Sequence, residues 1–183
     1  MGQPKALLDW GGMPLVCYQV QQLRLAGLDE VIVVLGYRAD EVQRQMKTAD
    51  CRVMLNPRYQ HGRAGSLRIG VKAVNRDSDC IVLMSVDQPR PASLIKELLA
   101  AHGPQFIATR PEFEGHHGHP VVLAGSLRPE LLAVTDEEDG LRGILRSRVK
   151  EVQDIPSTPL CLVDFNSPEE YAEALAQYGP VPA

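Results

Sequence analysis

Met1-Gly2-Gln3-Pro4-Lys5-Ala6 sets a lysine behind a small residue and a proline, ahead of the apolar pair Leu7-Leu8. An ammonium on a flexible stem at such a place can serve as a point charge for phosphate oxygens. Alone, it reads equally well as an exposed lysine on a loose N-terminus. A second candidate is Ser85-Val86-Asp87-Gln88-Pro89, which follows the apolar run Cys80 to Met84. The pattern predicts a carboxylate at the carboxyl end of a buried strand that proline stops, and open α/β sheets bind ligands at that edge. A hard oxygen there suits Mg²⁺ bridging nucleotide phosphates. Capping of the next turn is the other common use of such an aspartate.

Three further segments carry polar groups at loop positions. Asn56 to Leu67, with Gly62, Gly65 and Ser66, is a glycine-containing loop between a strand and a helix. Its amides and the helix N-terminus can hold an anion, although Ser66 also fits a plain N-cap. Gly115-His116-His117-Gly118-His119-Pro120 has three imidazoles in four positions. Three imidazoles from one short loop rarely converge on one ion without a carboxylate or thiolate from elsewhere, so a loop reaching over a substrate is a better reading than a zinc site, and a solvent-exposed turn is the other. Near the C-terminus, Asp164 and Asn166 are predicted to end a strand over Leu160 to Phe165, where one of their oxygens can share a cation with Asp87, or else Asn166 and Ser167 simply terminate the strand and cap the helix. Ser167-Pro168-Glu169-Glu170 then reads as a capping box that opens a helix to about Tyr178.

The elements that must position these residues recur along the chain. Glu30 to Gly36, Cys51 to Asn56 and Cys80 to Asp87 are apolar at nearly every position, the pattern of strands buried on both faces of a parallel sheet. Helical segments are expected at Gln19 to Leu25, Ala39 to Lys47, Leu67 to Asn75 and Ser93 to His102. Shorter strands are expected at Phe106 to Thr109, His119 to Leu123 and Val149 to Gln153. There is no repeat, linker or low-complexity tract, so residues 1–183 form one domain. The predicted fold is a three-layer, Rossmann-like α/β domain, a mostly parallel sheet with helices on both faces.

Composition narrows the function. A net charge of −4 argues against a nucleic-acid footprint, which needs a strongly basic face; a small anionic ligand near Lys5, Arg63, Arg68 and Lys72 suits the chain better. The apolar runs are too short to cross a bilayer, and a cytoplasmic location is expected. Cys17, Cys51, Cys80 and Cys161 form no Cys-x-x-Cys pair, which leaves zinc and redox readings without ligand spacing. No Gly-x-Gly-x-x-Gly follows a strand, which disfavours a dinucleotide-binding module.

In order and spacing, these segments resemble the MobA-like nucleotidyltransferases, and among them the molybdopterin cytidylyltransferase type. The resemblance spans nearly the whole chain. It rests on Met1, Gly2 and Lys5; on Asn56-Pro57 with Gly62 and Ser66-Leu67; on Asp87-Gln88-Pro89 and Gly118-His119-Pro120-Val121; and on Asp139-Gly140-Leu141-Arg142 and Asp164 to Tyr171. The family opens with Leu-Ala-Ala-Gly-x-Ser-x-Arg-Met-Gly-x-x-Lys, and this chain carries only its end. The expectation is therefore that Met1 is an internal methionine and that a first strand and glycine loop lie upstream. Where the family has Asp-x-Asp-Thr-Pro-Glu-Asp, this chain has Asn166, Ser167 and Glu170.

The resemblance implies transfer of CMP from CTP to the phosphate of molybdopterin with release of pyrophosphate. Lys5 and Asp87 would be catalytic, and Asp87, Asp164 and Asn166 would hold Mg²⁺. Gly2, Lys5, Asn56, Gly65 and Ser66 would seat the nucleotide, and Gly118, His119, Pro120 and Arg142 the acceptor. A different class stays open: a non-catalytic nucleotide or cofactor chaperone serving a molybdoenzyme partner.

Overall fold

A computed structural model describes residues 2–180. Met1, at the start of the family-like signature, lies outside the described residues. Seven strands and seven α-helices follow one another in the chain: α1 (Leu15–Leu25), β1 (Ile32–Leu35), α2 (Ala39–Gln45), β2 (Arg52–Leu55), α3 (Ala64–Ala73), β3 (Cys80–Leu83), α4 (Ala92–Ala101), β4 (Ala108–Phe113), β5 (His116–His117), β6 (Val121–Ala124), α5 (Arg128–Ala133), α6 (Leu141–Ser147), β7 (Val152–Pro156) and α7 (Pro168–Tyr178). This is the expected α/β nucleotidyltransferase architecture. None of its described helices is long and apolar enough to cross a membrane.

β1 and β2 pair in parallel over four residues, Ile32 opposite Arg52 to Leu35 opposite Leu55. β4 and β7 pair in parallel over five. β6 joins β3 and β4 antiparallel, and β4 folds back on β5 through the turn at Glu114-Gly115. The two-stranded and five-stranded sheets share no ladder. That division corrects the expectation of strands buried on both faces: in β1 only Leu35 is fully buried, and in β3 only Ile81. The outer edges of β1 and β3 carry no neighbouring strand among the described residues, so their apolar side chains stay half-covered.

Helices bridge the two sheets. Val16 and Val20 of α1 pack with Val31, Leu35, Val42 and Met46, while the Gln19 amide donates to the carbonyls of Ser85 and Val86 at 2.9 Å, just past β3. From α3, Leu67 and Val71 pack with Ile81 and Leu83. Four consequences bear on the site. β3 ends at Leu83, so Asp87 sits in the turn beyond the strand rather than at its last residue. β4 begins inside its predicted range at Ala108 and runs past it to Phe113, and Val149–Glu151 is a turn of 3₁₀ helix before β7.

Leu160 to Phe165 is not a strand. Pro159–Leu162 forms a 3₁₀ turn and the chain then runs irregularly to Ser167. Pro159 lacks the N–H a ladder needs, and the carbonyls of Cys161 and Val163 go to the Arg90 guanidinium instead of a neighbouring strand. The terminal helix forms as predicted: the Ser167 hydroxyl accepts from the Glu170 N–H and the Glu170 carboxylate from the Ser167 N–H, with Pro168 at the first helical position.

Candidate active site

An aromatic stack brings the two ends of the chain together. Trp10, 1% exposed, lies over Phe165, 0% exposed, with ring centroids 6.0 Å apart. Tyr171 meets Phe165 edge-on at 5.4 Å, and its hydroxyl donates to the Asp9 carbonyl. Burial of this much aromatic surface is the main reason residues 5–10 lie against residues 164–171.

Lys5 thereby reaches the end of β3. Its ammonium donates to Asp87 Oδ2 at 2.9 Å and to Asn166 Oδ1 at 2.8 Å. Asp164 adjoins the same group: its carboxylate accepts from the Asn166 amide at 3.5 Å and from Gln88 Nε2 at 3.4 Å. One carboxylate and one amide oxygen, 79 positions apart in the chain, thus contact one cation, and the Asp164 carboxylate adjoins the Asn166 amide. These are hard oxygen donors of the kind Mg²⁺ and Mn²⁺ prefer, and a positive charge already stands between two of them. Among the described residues no three His, Cys, Asp or Glu side chains converge on one point, so a divalent ion here would need the Asn166 carbonyl oxygen. Gln88 Oε1 is buried without a partner beside this cluster.

On the other side of α3, Asn56 is buried and forms the hinge of the expected nucleotide loop. Its amide donates to Ser66 Oγ at 2.9 Å and its oxygen accepts from the Arg58 N–H. Gly65 passes close by, with Asn56 Nδ2 3.5 Å from where a Cβ would stand. Ser66 is therefore not the N-cap. Arg63 holds that position, and the remote Asp136 carboxylate does the capping, accepting from the N–H groups of Arg63 (2.9 Å) and Ala64 (3.2 Å). The anion expected at this helix N-terminus is thus supplied by the chain itself, and Gly62 is the residue that allows it: a Cβ there would lie 2.2 Å from Asp136 Oδ2. Gly2, with φ +62°, contributes its carbonyl to Arg38 at 3.4 Å and does not enter the Lys5 cluster.

The three histidines separate. His116 and His117 are exposed on β5, with His117 Nε2 3.4 Å from Asp154. His119 turns inward. Its ring nitrogen Nδ1 is buried without a partner, and burial, reinforced by the charges of Arg90 and Arg142, pushes its pKa down from 6.5 to about 4. The imidazole is neutral at pH 7, and its Nδ1 is closed off from solvent. Pro120 is buried beside it. Arg142 lies in the first turn of α6, exposed and within electrostatic range of His119. Gly118 is fixed by space: a Cβ would meet the Cys161 carbonyl oxygen at 2.3 Å.

Sequence reasoning missed Arg90, Asp136, Trp10 and Phe165. Arg90 left a trace in the sequence, a charged residue between Pro89 and Pro91 directly after Asp87. It is 0% exposed and bonded only to carbonyls. The other three are signalled by nothing local.

Known proteins are similar to this chain in sequence and in fold. Nicotine blue oxidoreductase of Paenarthrobacter nicotinovorans is 29% identical over 152 residues, covering 79% of this chain and 74% of that protein. The crystal structure of Rv0371c from Mycobacterium tuberculosis H37Rv superposes with a TM-score of 0.83 at 24% identity, over 96% of this chain and 90% of that one; its manganese complex gives 0.79 at 23%, over 96% and 93%. A nucleotidyl transferase from Methanothermobacter thermautotrophicus, Mth528, gives a TM-score of 0.81 at 24% identity, over 94% and 84%. The model of the MobA-like NTP transferase domain matches residues 1–152. With most of its length inside that match and the oxygen cluster at the end of β3, the chain belongs to the MobA-like NTP transferase family.

Proposed function

We propose that this chain transfers CMP from CTP to the terminal phosphate of molybdopterin, releasing pyrophosphate. One observation carries the reading: the Lys5 ammonium bridges Asp87 and Asn166, with Asp164 beside them, at the rim where nucleotide phosphates bind in α/β sheets. In the transfer, a bond forms between the acceptor phosphate oxygen and the α-phosphorus, and the bond from the α-phosphorus to the bridging oxygen of the β-phosphate breaks. Pyrophosphate leaves with that electron pair. No protein nucleophile is required, because positioning and charge neutralisation lower the barrier.

Asp87, Asp164 and Asn166 would hold Mg²⁺, which when bound supplies charge neutralisation at the phosphates. The manganese complex of Rv0371c, a protein of the same fold, is in keeping with a divalent ion here. Lys5 exchanges its contacts with Asp87 and Asn166 for triphosphate oxygens, as a flexible point charge can. Asn56, held by its bonds to Ser66 and the Arg58 N–H, seats the nucleotide with Gly65, and Gly2 lines the approach. Neutral His119, beside Gly118 and Pro120, faces the acceptor, while Arg142 attracts the acceptor's phosphate.

The test is pyrophosphate release with each of CTP, GTP, ATP and UTP, Mg²⁺ and molybdopterin. CTP is expected to give the highest turnover, and Asp87→Ala to abolish it. Unchanged turnover in Asp87→Ala removes that residue from the mechanism. Calorimetric binding of CTP or molybdopterin without pyrophosphate release from any nucleotide favours the chaperone reading instead.

A further inference from the structure

Arg90 makes four hydrogen bonds, all to main-chain carbonyls. Nε donates to His119 O, Nη1 to Pro89 O, and Nη2 to both Cys161 O and Val163 O, each at 2.8 Å. Among the described residues no carboxylate touches it, and it is 0% exposed. A buried guanidinium without an ion pair is expensive; burial draws its pKa down to about 10, while Asp164 and Asp87 lie near enough to pull the other way. Something must be gained from keeping an arginine here.

What it joins is informative. Pro89 follows Asp87 by two positions, His119 is the inward histidine, and Cys161 and Val163 lead into Asp164. These stretches lie outside every strand of the sheet, so no ladder fixes their spacing. Besides Arg90, the link between the last two is the His119 N–H donating to the Cys161 carbonyl at 2.9 Å. We infer that Arg90 is a positioning residue, which holds the oxygen cluster and the acceptor loop at a fixed separation by tying their backbones to one planar group. Lysine cannot replace it: three donors on one nitrogen do not span the distance between the Nε and Nη2 sides of a guanidinium. An apolar side chain would leave the carbonyls of Pro89, His119 and Val163 without donors, and that of Cys161 with the His119 N–H alone. The kinetic consequence rests on the proposed transfer; the tie between the segments does not.

Arg90→Lys tests this beside Leu98→Ala, a control that hollows the same core around Cys161. Hydrogen exchange in Arg90→Lys is expected to quicken at residues 118–119 and 161–164 and to stay unchanged at 56–67. With CTP and molybdopterin, kcat per folded molecule is expected to fall by about tenfold to a hundredfold, with the CTP KM constant to within about twofold and the molybdopterin KM raised. Leu98→Ala should lose thermal stability and leave these ratios alone. Wild-type exchange at both segments in Arg90→Lys overturns the inference. If the wild-type protein turns over no nucleotide, the transfer reading fails and the exchange pattern still decides Arg90. If Arg90→Lys does not fold, the wild-type His119 amide decides: it should exchange as slowly as Val122 in β6, and exchange orders of magnitude faster overturns the tie.

Discussion

Replacing Lys5 by methionine should tighten the binding of Mn²⁺ in the absence of nucleotide. The ammonium contacts Asp87 at 2.9 Å and Asn166 at 2.8 Å, two of the three groups assigned to a divalent ion. The ion and the ammonium therefore compete. At about 4 Å and an effective dielectric constant near 20, a pair of unit charges attract by about 4 kcal/mol before desolvation and side-chain ordering are subtracted. With side chains 27% and 24% exposed, the Lys5–Asp87 pair falls between surface pairs, at about 0.2–1 kcal/mol, and buried pairs, whose breakage costs about 3–5 kcal/mol. A net of about 1–2 kcal/mol corresponds to an affinity gain of about 5-fold to 30-fold. Methionine keeps most of the stem and removes the charge. Lys96→Met, on the exposed face of α4, lowers net charge equally and should shift Mn²⁺ affinity by less than about twofold at physiological salt, where screening acts over about 8 Å. Isothermal titration of the three proteins with MnCl₂ reads the difference. If Lys5→Met binds Mn²⁺ no more tightly than wild type while Lys96→Met also matches it, Lys5 does not stand in the cation's place. With CTP present the same substitution should cost about 10²-fold in turnover, the usual loss for removing one group that stabilises developing phosphate charge.

Three more outcomes follow from particular contacts. His119 is neutral when folded, with its pKa lowered to about 4 from 6.5, so the unfolded chain binds the extra proton first. Wild-type stability relative to His119→Gln is therefore complete above pH 6.5 and lost as pH falls toward 4, by up to about 3 kcal/mol; urea melts at pH 7, 5.5 and 4.5 measure it, and a flat difference refutes the burial of this ring. Gly118→Ala would drive a methyl to within 2.3 Å of the Cys161 carbonyl and should destabilise the fold by about 1–3 kcal/mol, seen as a lower thermal midpoint. Ser167→Ala removes the hydroxyl that accepts the Glu170 N–H at 3.1 Å and should cost about 1 kcal/mol; a loss below about 0.3 kcal/mol would show that α7 draws its stability from Phe165 and Tyr171 rather than from its cap.

The pieces of this fold that could be read from sequence are those whose signal is local. The capping box at Ser167 was legible because two side chains and two amides within four residues satisfy one another. β1 and β2 were legible because short apolar runs flanked by glycine or polar residues have few other uses. The strand predicted at Leu160 to Phe165 failed for a reason no local pattern contains: its carbonyls are taken by Arg90, which stands 71 positions away from Cys161. Asp136 escaped notice in the same way, since a capping carboxylate supplied 72 residues downstream of Ala64 looks like any exposed aspartate. The site inherits this split. Asp87 and Lys5 could be singled out by the glycine, proline and apolar residues around them, but their meeting depends on Trp10 stacking on Phe165, a contact between side chains that sequence alone marks only as large and apolar. Candidate residues were singled out by type, spacing and family resemblance; the long-range bonds that bring Lys5, Asp87 and Asn166 together follow from burial, and burial is a property of the assembled chain.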